Sequence, residues 1–184
     1  HFLDSLCIVK VTCPVSERII DVGTGAGFPG IPIKLMFPGI DLVLLDSLNK
    51  RIRFLEEVIN KLCLVSTSAI HGRAEDMGRD GLHREKYDIC VSRAVARLQV
   101  LAEYCLPFVK KGGCFIAYKS GNVREELDEA AGAVRLLGAD IERMEEFMLP
   151  GTDINRTLIV MRKQKETPLK YPRSAGKVIK EPLK

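Results

Sequence analysis

Residues 19–46, IIDVGTGAGFPGIPIKLMFPGIDLVLLD, decide how the rest of the chain is read. An apolar run closes on Asp21. A glycine-rich turn follows, a helical pattern spans residues 31–37, and a second apolar run closes on Asp46. Strand, turn, helix and strand in that order make a parallel β-α-β unit. Glycines allow a sharp turn and leave no Cβ in the way of a ligand. Pro29 suits the first turn of a helix, where a missing N–H costs little. Such a turn at the carboxyl edge of a parallel sheet commonly holds a nucleotide-like ligand. Asp46 ends the neighbouring strand and so lies beside the turn, where its carboxylate can accept both hydroxyls of a ribose.

The pattern continues outward. Residues 18–22, 41–46, 66–71, 87–92 and 114–119 read as strands, and residues 31–37, 49–62, 98–106 and 123–137 read as helices. In the second helix Ile52, Leu55, Val58, Ile59 and Leu62 recur at helical spacing. Ser47 or Asn49 is placed to cap it. Residues 140–149 and 157–162 suit a final antiparallel pair, and residues 75–86 read as a solvated connection. The expectation is an α/β, Rossmann-like fold: a mostly parallel seven-stranded sheet, helices on both faces, and an antiparallel last strand.

Composition narrows the function classes. The 184 residues suit one domain, and 46% hydrophobic with 28% charged residues is ordinary for a soluble globular protein. No apolar run approaches the roughly 20 residues of a membrane span, and no secretory signal is present. A cytoplasmic protein with no membrane partner is expected. The six cysteines form no C-x-x-C and read as buried, reduced thiols. With His1, His71 and His83 they offer no clustered ligand set, so no metal is expected. The opening HFLDSL reads as the end of a helix, which implies sequence before it.

Charge is uneven. Residues 162–184 hold eight Lys/Arg and two Glu, a net of +6, within a chain of net +4. The preceding residues therefore carry −2. With Pro168, Pro172 and Pro182 this tail reads as extended or mobile. It divides the chain into a domain over residues 1–163 and a basic arm over residues 164–184. The arm can meet phosphates or remain a solvated terminus, and its loss is expected to leave cofactor binding intact.

Two ligand classes fit the turn. A dinucleotide site wants G-x-G-x-x-G, and Phe28 stands at the third glycine. What stands instead is D-x-G-x-G-x-G, Asp21 to Gly27, which resembles the first motif of class I S-adenosylmethionine-dependent methyltransferases. VGTGAGFPGIPIK, LDSLNKRIRFLE, GRAE, YDICVSRAVARL, YKSG and KYPRSAGKVIKEPL follow in order. Together they resemble the bacterial methyltransferases of guanine N7 in the 530 loop of small-subunit (16S) ribosomal RNA, the glucose-inhibited division protein B family.

The resemblance implies S-adenosylmethionine as cofactor, 16S ribosomal RNA or the small ribosomal subunit as partner, and a monomer. It also implies roles. Asp21 lies near the methionine end, and Gly23, Gly25, Gly27 and Phe28 belong to the cofactor pocket. Asp46 binds the ribose, and Ala74 and Glu75 sit at the adenine. Arg93, Lys119 and Arg156 form the catalytic face, with Arg93 also near the cofactor. Each has a plainer alternative: Glu75 as a loop ion-pair partner, Arg93 capping the sheet edge through Asp88 or another acid, Lys119 and Arg156 as solvated rim charges, Phe28 as core. Lys50 and Arg51 open a helix against its dipole, which hints at an anion outside it.

Guanine N7 has a lone pair and no proton, so no general base is required and the rate is expected to be flat from about pH 6 to 9. A proton-bearing acceptor would turn attention to Glu75 or Asp88. A small-molecule methyltransferase, a non-catalytic RNA-binding module on the same scaffold and, less favoured by Phe28, a dehydrogenase remain alternatives.

Overall fold

The computed structural model describes residues 1–121 and 123–184. Seven strands form one sheet: β1 (Arg18–Val22), β2 (Asp41–Asp46), β3 (Thr67–His71), β4 (Tyr87–Ser92), β5 (Val109–Lys119), β6 (Ala139–Met148) and β7 (Asn155–Lys163). Their order is β3-β2-β1-β4-β5-β7-β6. The first five run parallel, and β7 lies antiparallel between β5 and β6. The helices are α1 (Phe2–Leu6), α2 (Gly30–Met36), α3 (Asn49–Lys61), α4 (Ala74–Met77), α5 (Leu98–Cys105), α6 (Arg124–Leu136) and α7 (Ala175–Lys180).

Alternation along the strands divides the core between the two faces. Ile20, Val22, Val43, Leu45, Phe115 and Ala117 share one cluster with Leu98 and Leu101 of α5 and Ala130 and Val134 of α6. Ile19, Leu42, Leu44, Ile89, Val91 and Ile116 share the other with Ile31 and Ile33 of α2 and Ile52 and Leu55 of α3. Each fully buried side chain of this kind contributes about 1.5–3 kcal/mol. A one-residue slip would exchange the two sets, so register is firmly set. The expected α/β architecture is what the chain adopts.

Several details differ from expectation. Strand β5 starts at Val109, five residues early: Val109 pairs with Tyr87 ahead of an irregularity, and exposed Lys110 and Lys111 hide the apolar pattern. Neither Ser47 nor Asn49 caps α3. Leu48 holds the cap position without a side-chain bond, and its N–H donates to Asp46 Oδ1 at 2.9 Å. Four cysteines are buried, but Cys13 and Cys63 are exposed.

The largest correction concerns the tail. It is not an extended arm: Tyr171 and Val178 are buried, and residues 175–180 form α7. Residues 75–86, expected to be solvated, hold it in place. Arg84 donates to the Gly78, Thr167 and Tyr171 carbonyls, and Arg79 Nε donates to the Pro172 carbonyl at 2.8 Å. Lys163 is fully buried, its ammonium donating to Glu85 Oε1, Thr167 Oγ1 and the Leu106 and Val109 carbonyls. Of the eight tail cations, Arg162, Lys163 and Arg173 are thus spent on Glu142, Glu85 and Glu103. Lys165, Lys170, Lys177, Lys180 and Lys184 remain exposed.

Candidate active site

Sheet order reverses between β1 and β4, which opens a crevice at their carboxyl ends, where open parallel sheets bind ligands. Ser92 Oγ ties the two strand ends together by donating to the Val22 carbonyl at 2.8 Å. A cavity of about 640 Å³ lies there, within the size range of small-molecule sites.

Asp46 lines the cavity, and Asp21 supports the glycine turn from beneath it. Asp21 is fully buried, and its Oδ2 accepts from Thr24 Oγ1 at 2.6 Å and from the Gly30 N–H at 2.9 Å. Position 30 must be glycine for this: a Cβ would stand 2.9 Å from Asp21 Oδ2 and 2.5 Å from Leu44 Cδ2. Asp21 Oδ1 has no partner among the described residues. Burial pushes its carboxyl up to about 6, against the pull of Thr24, Gly30 and Arg93. Asp46 Oδ2 accepts from the Gly25 N–H at 2.9 Å and from Arg51 Nη1 at 3.1 Å. Gly25 has φ +62°, and a Cβ there would meet nothing within 4 Å, so its missing side chain leaves open cavity. That open cradle, a buried carboxylate beside it and apolar lining from Leu101 and Tyr104 fit an adenosyl ligand.

A second cavity of about 600 Å³ adjoins the first, and both are lined by residues 93–96. Arg93, Arg97, Lys119 and Arg156 make it cationic. Asp4 of α1 organises it: Oδ2 accepts from Arg93 Nη1 at 3.1 Å and Oδ1 from Arg156 Nε at 3.0 Å. Arg93 also stands over the Phe28 ring, 5.3 Å from its centroid, while Phe2 meets that ring edge-on at 5.1 Å. Lys119 Nζ donates to the Ala96 carbonyl at 2.9 Å and pairs with Glu126 at 2.8 Å.

The family profile described as "GidB: rRNA small subunit methyltransferase G" matches residues 1–158. The chain belongs to this family. It is 57% identical to the ribosomal RNA small subunit methyltransferase G of Lachnoclostridium phytofermentans, covering all of this chain and 76% of that protein. It is 55% identical to the one from Acetivibrio thermocellus, again over the whole chain and 75% of the relative. Among solved structures, a SAM-dependent methyltransferase from Aquifex aeolicus superposes with a TM-score of 0.64 at 16% identity, over 86% of this chain and 88% of that one. P. horikoshii TYW2 in complex with MeSAdo superposes at 0.66 and 17% identity, over 86% and 61%. The fold is that of class I methyltransferases, and the cofactor of the family is S-adenosylmethionine.

Against that identity the candidate residues sort by place. Gly23, Gly25, Phe28, Asp46, Ala74, Glu75 and Arg93 line the first cavity. Asp21 and Gly27 do not: Asp21 shapes the turn from beneath, and a Cβ at Gly27 would run into Ile31. Arg93, Lys119 and Arg156 line the second cavity together. The acid partnering Arg93 is Asp4, not Asp88. Asp88 sits at the opposite end of β4, accepting from the Arg18 N–H and pairing with Lys110. Sequence reasoning missed Asp4, Arg73, Tyr104, Ala175 and Ile179. The cation-led start of α3 was a usable signal: Arg51 answers Asp46. For Asp4 and Ile179 no local pattern marks a site.

Proposed function

We propose that this chain transfers a methyl group from S-adenosylmethionine to N7 of a guanine in the 530 loop of small-subunit ribosomal RNA. The first cavity holds the cofactor and the second admits the base. Family membership supports the reaction class and the RNA class, and the motif resemblance supports the position and atom. The observation that carries the site assignment is the sharing of residues 93–96 by an adenosyl-sized cavity and a cationic one.

When bound, S-adenosylmethionine supplies a methyl group on a positively charged sulfur. The chain's residues bind and orient. Asp46 offers ribose hydroxyls a charged acceptor. Its present donors are the Gly25 and Leu48 N–H groups and Arg51, and the half-exposed Arg51 guanidinium is the cheapest to displace. Arg93, Lys119 and Arg156 are placed to grip guanine O6 and flanking phosphates. N7 has no proton to lose, so no side chain acts as a base, and in-line alignment carries the rate. The flat pH window narrows to about 7–9, because Asp21 titrates at about 6 beneath the cofactor turn.

Single-turnover methyl transfer to small-subunit RNA, with the product mapped, tests this. The expected product is one N7-methylguanine in the 530 loop, formed at a rate flat from about pH 7 to 9 and lowered throughout by Arg93→Ala. A unit-slope rise in the chemical step, or a methyl mapped to an exocyclic amine or ribose, would overturn the N7 assignment.

A further inference from the structure

The basic tail contributes to the wall of the cofactor cavity. Ala175 and Ile179 of α7 line it, in company with Ala74, Leu101 and Tyr104. Four residues apart on one helix, they present one face. Val178, on the adjoining side, is fully buried and anchors α7 to the domain. Ile179 by contrast is 65% exposed at the cavity mouth. An apolar side chain left open there is surface that a bound ligand can cover.

The wall is stapled in place. Arg173, two residues before α7, donates from its backbone N–H and Nε to Glu103 Oε1, both at 2.8 Å, and from Nη2 to Oε2 at 2.7 Å. Glu103 on α5 has no exposure, so this forked, charge-assisted pair is of the strong kind. Arg173 Nη2 also donates to the Glu181 carbonyl at 2.9 Å, closing the far end of α7. These contacts fall on α5 and on the turn after α4, where Arg79 holds Pro172. The same helix α5 supplies Leu101 and Tyr104 to the cavity lining. With Ala175 and Ile179 they give the cavity an apolar wall, which suits a flat heteroaromatic ring rather than a charged amino-acid group.

We propose that α7 is part of the S-adenosylmethionine site: Ala175 and Ile179 wall the adenine side, and Arg173 on Glu103 positions that wall. This rests on reading the first cavity as the cofactor site. It reverses the expectation that the tail is separable from cofactor binding.

Calorimetry with S-adenosylhomocysteine and with methylthioadenosine, which keeps the adenine and ribose but lacks the amino-acid end, tests the proposal. Ile179→Ser is expected to weaken both ligands by the same factor, about three- to tenfold, and Ile179→Leu to restore them. Arg173→Ala, where it remains folded, is expected to weaken both by tenfold or more, with Ile179→Ser adding nothing in that background. Ile179→Ser lies at an exposed position, so the proposal stays testable if Arg173→Ala does not fold. Unchanged affinity of folded Ile179→Ser for both ligands overturns the proposal. A loss confined to S-adenosylhomocysteine overturns the adenine assignment. If the unaltered chain binds neither ligand, the cofactor reading of the cavity itself fails.

Discussion

Replacing Asp21 by Asn separates the work of the Asp21 side chain in shaping the turn from the cost of its charge. One oxygen accepts from Thr24 and Gly30, and the other is buried without a partner. Asn keeps an acceptor for the first pair and puts an unpaired amide where Oδ1 stood, an offset of about 1–3 kcal/mol. What changes with pH is the charge. Burial raises the folded carboxyl from 3.8 to about 6, so the folded state holds its proton longer than the unfolded one. Protonation therefore contributes stability that is fully present below about pH 3.8 and is lost as pH rises through about 6. Between about pH 4.5 and 7.5 the native protein should lose about 2 kcal/mol relative to Asp21→Asn, which does not titrate there. Urea unfolding of both proteins at several pH values in that range measures the difference. A constant difference across the range would show that Asp21 ionises alike in both states, and the account of its burial would be wrong. Cofactor affinity should change only a few-fold in Asp21→Asn, because the residue holds the turn rather than the ligand.

Three further outcomes are expected. Asp46→Ala should weaken S-adenosylhomocysteine binding by about 1.5–3 kcal/mol, tenfold or more, and Gly25→Val should obstruct it by filling open cavity; calorimetry showing unchanged affinity in both folded variants would move the cofactor elsewhere. Asp4→Ala leaves Arg93 and Arg156 facing each other without a counter-charge. It should cost about 2–4 kcal/mol in chemical denaturation, less than a fully buried pair because those side chains stay 21% and 25% exposed; a loss under about 0.5 kcal/mol would mean the triad is not formed. Changing Lys170, Lys177, Lys180 and Lys184 together to Ala should flatten the log–log salt dependence of RNA binding by up to about 3, and an unchanged slope would place the RNA surface wholly on the cationic cavity and its rim.

The sequence by itself determined the sheet, most of the helices and the carboxyl-edge location of the site. Period-two and period-3.6 patterns are local, and a buried strand or helix face has to display them: Ile19 to Val22 and Ile52 with Leu55 are legible without knowing their neighbours. The glycine turn and Asp46 were legible for the same reason, since backbone geometry constrains residue type there. Tertiary structure alone decided which charges are free and which are spent. Arg93 and Arg156 meet across Asp4, 89 and 152 residues away in sequence, and Arg173 meets Glu103 across 70. A cation reads the same in sequence whether it faces solvent or a buried carboxylate. The tail therefore read as a mobile basic arm, although three of its cations are paired with carboxylates and its helix lines the cavity. Pairings of that kind depend on the packing of distant elements, and no periodicity along the chain encodes them.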